Sequence, residues 1–158
     1  KNSLAVVGDI EKLPFRNDTF DFAISNFSLH WTNIEKSMKE IHRVLKDNAV
    51  FCFCMPIEGS LKFVEDILEK RNFDFYSYKE VIDILKDFFE IKISYQKEFS
   101  LKFENGLELL KHLHETGSAV GKEGLTIGEK KQIFNRFKNY NKPALLNFNV
   151  LFVKALKV

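Results

Sequence analysis

The segment Gly8–Asn33, GDIEKLPFRNDTFDFAISNFSLHWTN, holds most of the side chains in this 158-residue chain that suit small-molecule chemistry. Gly8-Asp9 follows a short apolar stretch, Leu4–Val7, that reads as a strand. Folds of alternating strands and helices place ligands beyond the carboxyl ends of their strands. A carboxylate at Asp9 accepts a hydrogen bond from an exocyclic amine, and the amide of Ile10 donates to a ring nitrogen. Together they read an adenine edge, with Leu13-Pro14-Phe15 as apolar surface beside the base. A second strand, Phe20–Phe27, runs out into Ser28-Leu29-His30-Trp31, so Asn26, Phe27, His30 and Trp31 border the same crevice. Each has a plainer use: Asp9 as a turn cap, Asp21 at the strand entry, Asn26 and Phe27 in a buried turn, His30 with Trp31 as a packed aromatic pair.

Other chemistries fail on spacing. Cys52 and Cys54 would face one side of a strand, but no second Cys/His pair with zinc spacing follows, so they read as core thiols. His112 and His114, two apart on a helix, point away from each other. No nucleophile elbow of the G-x-S-x-G type is present. The chain therefore offers no metal site and no catalytic triad. Two cysteines in an apolar run fit a reducing compartment, and hence a cytoplasmic location. No apolar run approaches the ~18 residues that a membrane span needs, so no membrane partner is expected.

The elements that must position these residues alternate, the pattern of an α/β layer fold. After the strand at Phe20–Phe27, apolar on both faces, Ile34, Met38, Ile41 and Leu45 mark a helix. Asp47-Asn48 reads as a turn, and Ala49–Met55 as a buried strand. Leu61, Val64, Ile67 and Leu68 share one helical face; Val81, Ile82, Leu85, Phe88 and Phe89 share another, opened by a Ser77/Glu80 capping box. Glu90–Phe103 is extended, Leu107–His114 helical, and Ile133, Phe134, Phe137 and Tyr140 mark a further helix held to the domain by those apolar residues. Leu145–Val158 is a last strand, able to form an antiparallel edge on an otherwise parallel sheet. With 45% hydrophobic and 29% charged residues the chain is folded, and its length suits one domain. The net charge is only +2, yet from Thr126 to Val158 seven basic side chains face the single acidic Glu129. Such a region attracts an acidic partner or is simply a solvated face.

The pattern D-x-E-x-L-P-F…F-D…S-N…L-x-W, standing here as Asp9, Glu11, Leu13, Pro14, Phe15, Phe20, Asp21, Ser25, Asn26, Leu29 and Trp31, resembles the class I S-adenosylmethionine-dependent methyltransferases. It is most similar to the malonyl-acyl-carrier-protein O-methyltransferases of biotin synthesis. The likeness continues through Glu40–Lys46, Gly59-Ser60-Leu61 and Leu113–Ala119. It implies a Rossmann-like sheet, mostly parallel with an antiparallel C-terminal edge, and S-adenosylmethionine as cofactor. It implies Asp9, Ile10, Asn26 and Phe27 on the cofactor side and His30, Trp31, Gly59 and Ser60 on the substrate side.

The departure from the family is equally specific. Family members carry an Asp/Glu-x-Gly-x-Gly-x-Gly loop after the first strand and an acidic residue after the second, and neither pattern occurs here. Gly8 and Gly59 are isolated, and the series Gly117, Gly121, Gly124, Gly128 follows a helix. The chain is thus expected to be a single partial domain lacking the first two strands, with Phe20–Phe27 left as an apolar edge. Its parts would be the remaining sheet core and helices (1–103), a helical excursion over the substrate side (104–142) and the last strand (143–158). The resemblance further implies transfer of a methyl group to the free carboxylate of malonyl-acyl-carrier protein, without any catalytic acid or base. The acidic carrier would be met by the basic helix through Lys130, Lys131, Arg136 and Lys138. Two alternatives are a class I methyltransferase with another acceptor and a non-catalytic fragment or assembly factor. A nucleic-acid substrate is not expected, because the N/D-P-P-Y/F motif is missing and the basic region has no obvious stacking platform.

Overall fold

The computed structural model describes residues 5–69, 73–116 and 126–158. Strand β1 (Phe20–Asn26) leads through a short turn of 3-10 helix (Leu29–Trp31) into helix α1 (Ile34–Val44), followed by β2 (Leu45–Pro56). Helices α2 (Lys62–Leu68) and α3 (Tyr78–Lys86) precede β3 (Glu90–Phe103), and α4 (Gly106–Glu115) and α5 (Ile127–Asn139) precede β4 (Ala144–Leu156). The sheet order is β1-β2-β4-β3, with β1 parallel to β2 and β4 antiparallel to β2.

The chain divides into two compact units, one made of residues 1–58, 76–97 and 150–158, the other of 59–75 and 98–149. In the first, α1 is capped by Asn33, whose side chain accepts from the Lys36 amide, and buries Ile34, Met38 and Ile41. These pack with Phe51, Phe53 and Met55 of β2, Leu151 and Val153 of β4, and Val81 and Leu85 of α3. The predicted Ser77/Glu80 capping box opens α3. In the second unit, Val64, Leu68, Leu109, Leu113, Phe137 and Leu146 form a separate core.

Two local expectations change and a third is met. Ala5–Val7 form no strand, and Val6 and Val7 are exposed: an extended segment without a sheet neighbour leaves its amides and carbonyls to water. The Asp47-Asn48 pair makes no turn between elements. It is absorbed into β2 as an irregularity, so that Phe20 pairs with Leu45 but Phe22 with Val50, and Asn48 takes φ 63°. Finally, β1 sits at the sheet edge with Phe22 51% and Ile24 74% exposed, the apolar edge expected above.

Candidate functional site

Asp9 and Ile10 lie in a tight turn. The Asp9 carboxylate oxygen Oδ1 accepts from the Glu11 amide (2.9 Å), and the Asp9 carbonyl accepts from the Lys12 amide (3.0 Å). The turn-capping use of Asp9 is therefore real, and it occupies one of the two carboxylate oxygens. The Ile10 amide makes no hydrogen bond among the described residues.

Two side chains of α1 fasten this loop. Glu40 Oε2 accepts from the Leu13 amide (2.9 Å), and Arg43 donates to the carbonyls of Leu13 (3.1 Å) and Phe15 (2.8 Å) and to Asn17 Oδ1 (2.9 Å). Arg43 also holds Glu40 (2.7 Å), and that bond keeps the Glu40 carboxyl below its usual range. Glu11 ties the turn to the strand exit: its Oε1 accepts from the Asn33 amide (2.7 Å), and its other oxygen lies 3.6 Å from Lys36. The Asp9-Ile10 turn is thereby brought to the segment that carries His30 and Trp31.

At the end of β1, Ser25 and Ser28 share a hydrogen bond (2.8 Å), and the Phe27 amide donates to the Cys54 carbonyl (2.9 Å). Phe27 takes φ 50°, a left-handed conformation that costs an aromatic residue ~1–2 kcal/mol. Strain of this kind collects at ligand sites. The Cys54 thiol donates to Asn26 Oδ1 (2.9 Å), fixing one side of that amide, and burial raises the thiol's pKa. Cys52 and Cys54 are half-buried, not core residues: the core face of β2 belongs to Phe51, Phe53 and Met55. The cysteines line an open trough of about 400 Å³ on the other sheet face, with Ile24, Asn26, Tyr95 and Phe152. Tyr95 stacks on Phe152 at 5.1 Å.

His30 packs between Phe27 (6.3 Å) and Trp31 (4.7 Å), and Trp31 is 72% exposed. Burial pushes the His30 pKa down to about 4, so the ring is neutral at pH 7. The unfolded chain takes up this proton near pH 6.5 and the folded chain only near 4. Stability from the neutral ring is therefore complete above pH 6.5 and declines as pH falls towards 4. In denaturant titrations, His30→Phe is expected to remove ~1–2 kcal/mol of the loss between pH 7 and pH 4, after allowance for solvent screening. Equal pH slopes in both proteins would show that the ring takes up its proton alike in the folded and the unfolded chain.

Gly59 and Ser60 belong to the second unit. Gly59 has φ 92°, a conformation that suits glycine, and its carbonyl accepts from Asn147 Nδ2 (2.9 Å). Ser60 is buried, its hydroxyl donating to the Asn149 carbonyl (3.1 Å) and accepting from the Asn149 amide (3.0 Å). Both residues lock a loop onto β4. Arg136, expected on an interaction surface, donates to the Leu68 carbonyl and pairs with Glu69, each at 2.8 Å. Gly117, Ser118, Ala119, Gly121 and Gly124 lie outside the described residues. Among the described residues no three His, Cys, Asp or Glu side chains cluster as metal ligands, and no helix is long and apolar enough to cross a membrane. The Glu40–Arg43 clamp was not anticipated from the sequence; its signal is an i,i+3 pair on the polar side of an amphipathic helix.

Residues 1–53 match the methyltransferase-domain family. The chain is 30% identical over 111 residues to the malonyl-[acyl-carrier protein] O-methyltransferase of Calditerrivibrio nitroreducens, covering 70% of this chain and 44% of that protein. It is 41% identical over 54 residues to the human mitochondrial arginine-hydroxylase NDUFAF5, covering 34% of this chain and 16% of that protein. The chain thus spans less than half the length of these curated relatives. The solved structure of the candidate methyltransferase BH2331 from Bacillus halodurans C-125 superimposes with a TM-score of 0.65 at 14% identity, covering 95% of this chain and 75% of that one. The first 53 residues thus match the methyltransferase-domain family, and over 95% of its length the chain shares the fold of a candidate methyltransferase of solved structure.

Proposed function

We propose that the protein transfers the methyl group of S-adenosylmethionine to the free carboxylate of a malonyl group carried on acyl carrier protein, a step of biotin synthesis. The observation that carries this reading is the Glu11–Asn33 bond, which fastens the Asp9-Ile10 turn to the segment bearing His30 and Trp31. The residues present fit the adenine side of the cofactor: Asp9 is an exposed acceptor with one carboxylate oxygen left over, beside the Ile10 amide as donor. When bound, S-adenosylmethionine supplies a methyl group activated by its sulfonium. Asn26 and the strained Phe27 would border the cofactor, while neutral His30 and exposed Trp31 would wall the acceptor.

The acceptor carboxylate is ionised at neutral pH, so positioning and exclusion of water suffice and no side chain must take a proton. The similarity to the Calditerrivibrio enzyme supports the malonyl carrier as acceptor. Lys130, Lys131 and Lys138 would steer the acidic carrier, while Arg136 spends its charge on Leu68 and Glu69.

The test is transfer of labelled methyl from S-adenosylmethionine to malonyl-acyl-carrier protein by the full-length protein, scored as a methyl ester. Asp9→Ala is expected to weaken cofactor binding ~10–100-fold, the loss of one hydrogen bond to a charged group. Binding unchanged at matched stability would return Asp9 to turn capping alone.

A further inference from the structure

Helix α5 has two apolar sides. At 100° per residue, Ile133, Phe137 and Tyr140 fall together, and they join the core of the second unit, Phe137 fully buried. A second stripe, rotated roughly a quarter turn or more from the first, holds Ile127, Lys131, Phe134 and Lys138, with Lys130 alongside. Phe134 was expected to anchor the helix; it is instead 44% exposed, and Ile127 is 87% exposed. Lys130, Lys131 and Lys138 form no ion pair among the described residues. The neighbouring Glu129 carboxylate is engaged at the helix start, where it accepts from the Thr126 amide and hydroxyl.

We propose that this stripe is a docking surface for an acidic amphipathic helix of a partner protein. Ile127 and Phe134 enter the partner's apolar seam, and the three lysines meet carboxylates flanking it. The proposal rests on the reading above that a protein carrier delivers the acceptor, and it adds short-range anchors to long-range steering. Two observations select the occupant. Among the described residues these cations form no ion pair, so charge complementarity favours an acidic partner. The apolar pair is spaced seven residues apart, ~10.5 Å along the axis, the i/i+7 repeat on which a facing helix places its own apolar residues. A lipid surface fits less well, because membrane-bound helices bury a continuous apolar face and this stripe has two apolar side chains.

The experiment uses the full-length protein, fluorescently labelled malonyl-acyl-carrier protein as probe, and turnover of a small malonyl thioester in parallel. Ile127→Ser with Phe134→Ser is expected to weaken carrier binding about tenfold while the salt dependence persists. Charge reversal at Lys130, Lys131 and Lys138 is expected to weaken binding and flatten its salt dependence. Turnover of the small thioester should hold in both. Ile127→Ser alone, at an almost fully exposed position, should keep part of the effect with unchanged thermal stability. Unchanged carrier affinity in the serine double variant overturns the proposal, as does an equal loss with both substrates, which would assign α5 to the fold. Wild-type binding to anionic vesicles but not to the carrier overturns it as well. If the variants lose carrier binding yet no methyl ester ever forms, docking stands and the methyl-transfer reading falls. If the ester forms and carrier binding ignores the variants, the reverse holds.

Discussion

Residues 1–158 by themselves are expected to bind S-adenosylmethionine at least ~100-fold more weakly than a protein that carries a glycine-rich loop upstream of Lys1. The reason lies in the division of contacts. On the proposed reading, Asp9 would supply an acceptor and Ile10 a donor for one end of the cofactor. It contains no D-x-G-x-G-x-G loop for the methionine end and no acidic residue after a second strand for the ribose. Each missing hydrogen bond to a charged partner removes ~1.5–3 kcal/mol, and two of them exceed a hundredfold in affinity. Calorimetry on the purified chain decides the matter. A dissociation constant in the low micromolar range would mean that the adenine side suffices, and the account of the site would have to change.

Lys157→Ala is expected to be among the most destabilising single changes in the first unit, at ~2–4 kcal/mol. Lys157 is only 7% exposed, a rare state for lysine. Its ammonium donates to the Leu45 carbonyl (2.7 Å) and to Asp18 (2.8 Å), and its backbone pairs with Asn48 and Ala49. It therefore closes the irregular stretch of β2 that follows α1. Truncation would expose or empty the space of four methylenes and leave the Leu45 carbonyl without its donor. Lys157→Met keeps most of the buried stem and is expected to recover more than half of the loss, since an apolar isostere often replaces a buried charge at little cost. Urea titrations of the three proteins give the comparison. If methionine is no better than alanine, the ammonium contacts and not the stem hold this corner together.

The loop before β1 owes its shape to contacts distant in sequence. Glu40 and Arg43 reach back some thirty positions to the backbone of Leu13 and Phe15, and Glu11 reaches forward to Asn33. These clasps explain how an irregular segment rich in polar side chains can hold Asp9 and Ile10 in one place. They also show why the resemblance at Glu40–Lys46 accompanies the resemblance at Asp9–Phe15: the two segments are halves of one hydrogen-bonded assembly.

Much of this protein was already determined by local sequence. Period-3.6 apolar residues placed α1 and α3, the Ser77/Glu80 spacing placed a cap within one residue, and the β-rich runs placed β1, β2 and β3. The candidate site segment was legible as well, because strand exits, turn formers and aromatic pairs are short-range features. Tertiary structure alone decided which apolar faces are covered. In β1, Ser25 is buried while Phe22 and Ile24 face out, although hydrophobicity alone would have chosen the opposite face for the core. In α5, Phe137 is buried and Phe134, three residues earlier, is half in water. Cys52 and Cys54 lie on the open side of a strand whose other side is core, and Lys157 is buried because a carbonyl and a carboxylate meet it there. The physical reason is common to all four. Periodicity states that side chains share a face, but whether that face is dry depends on the layer packed against it, and the layer is assembled from residues far away in the chain.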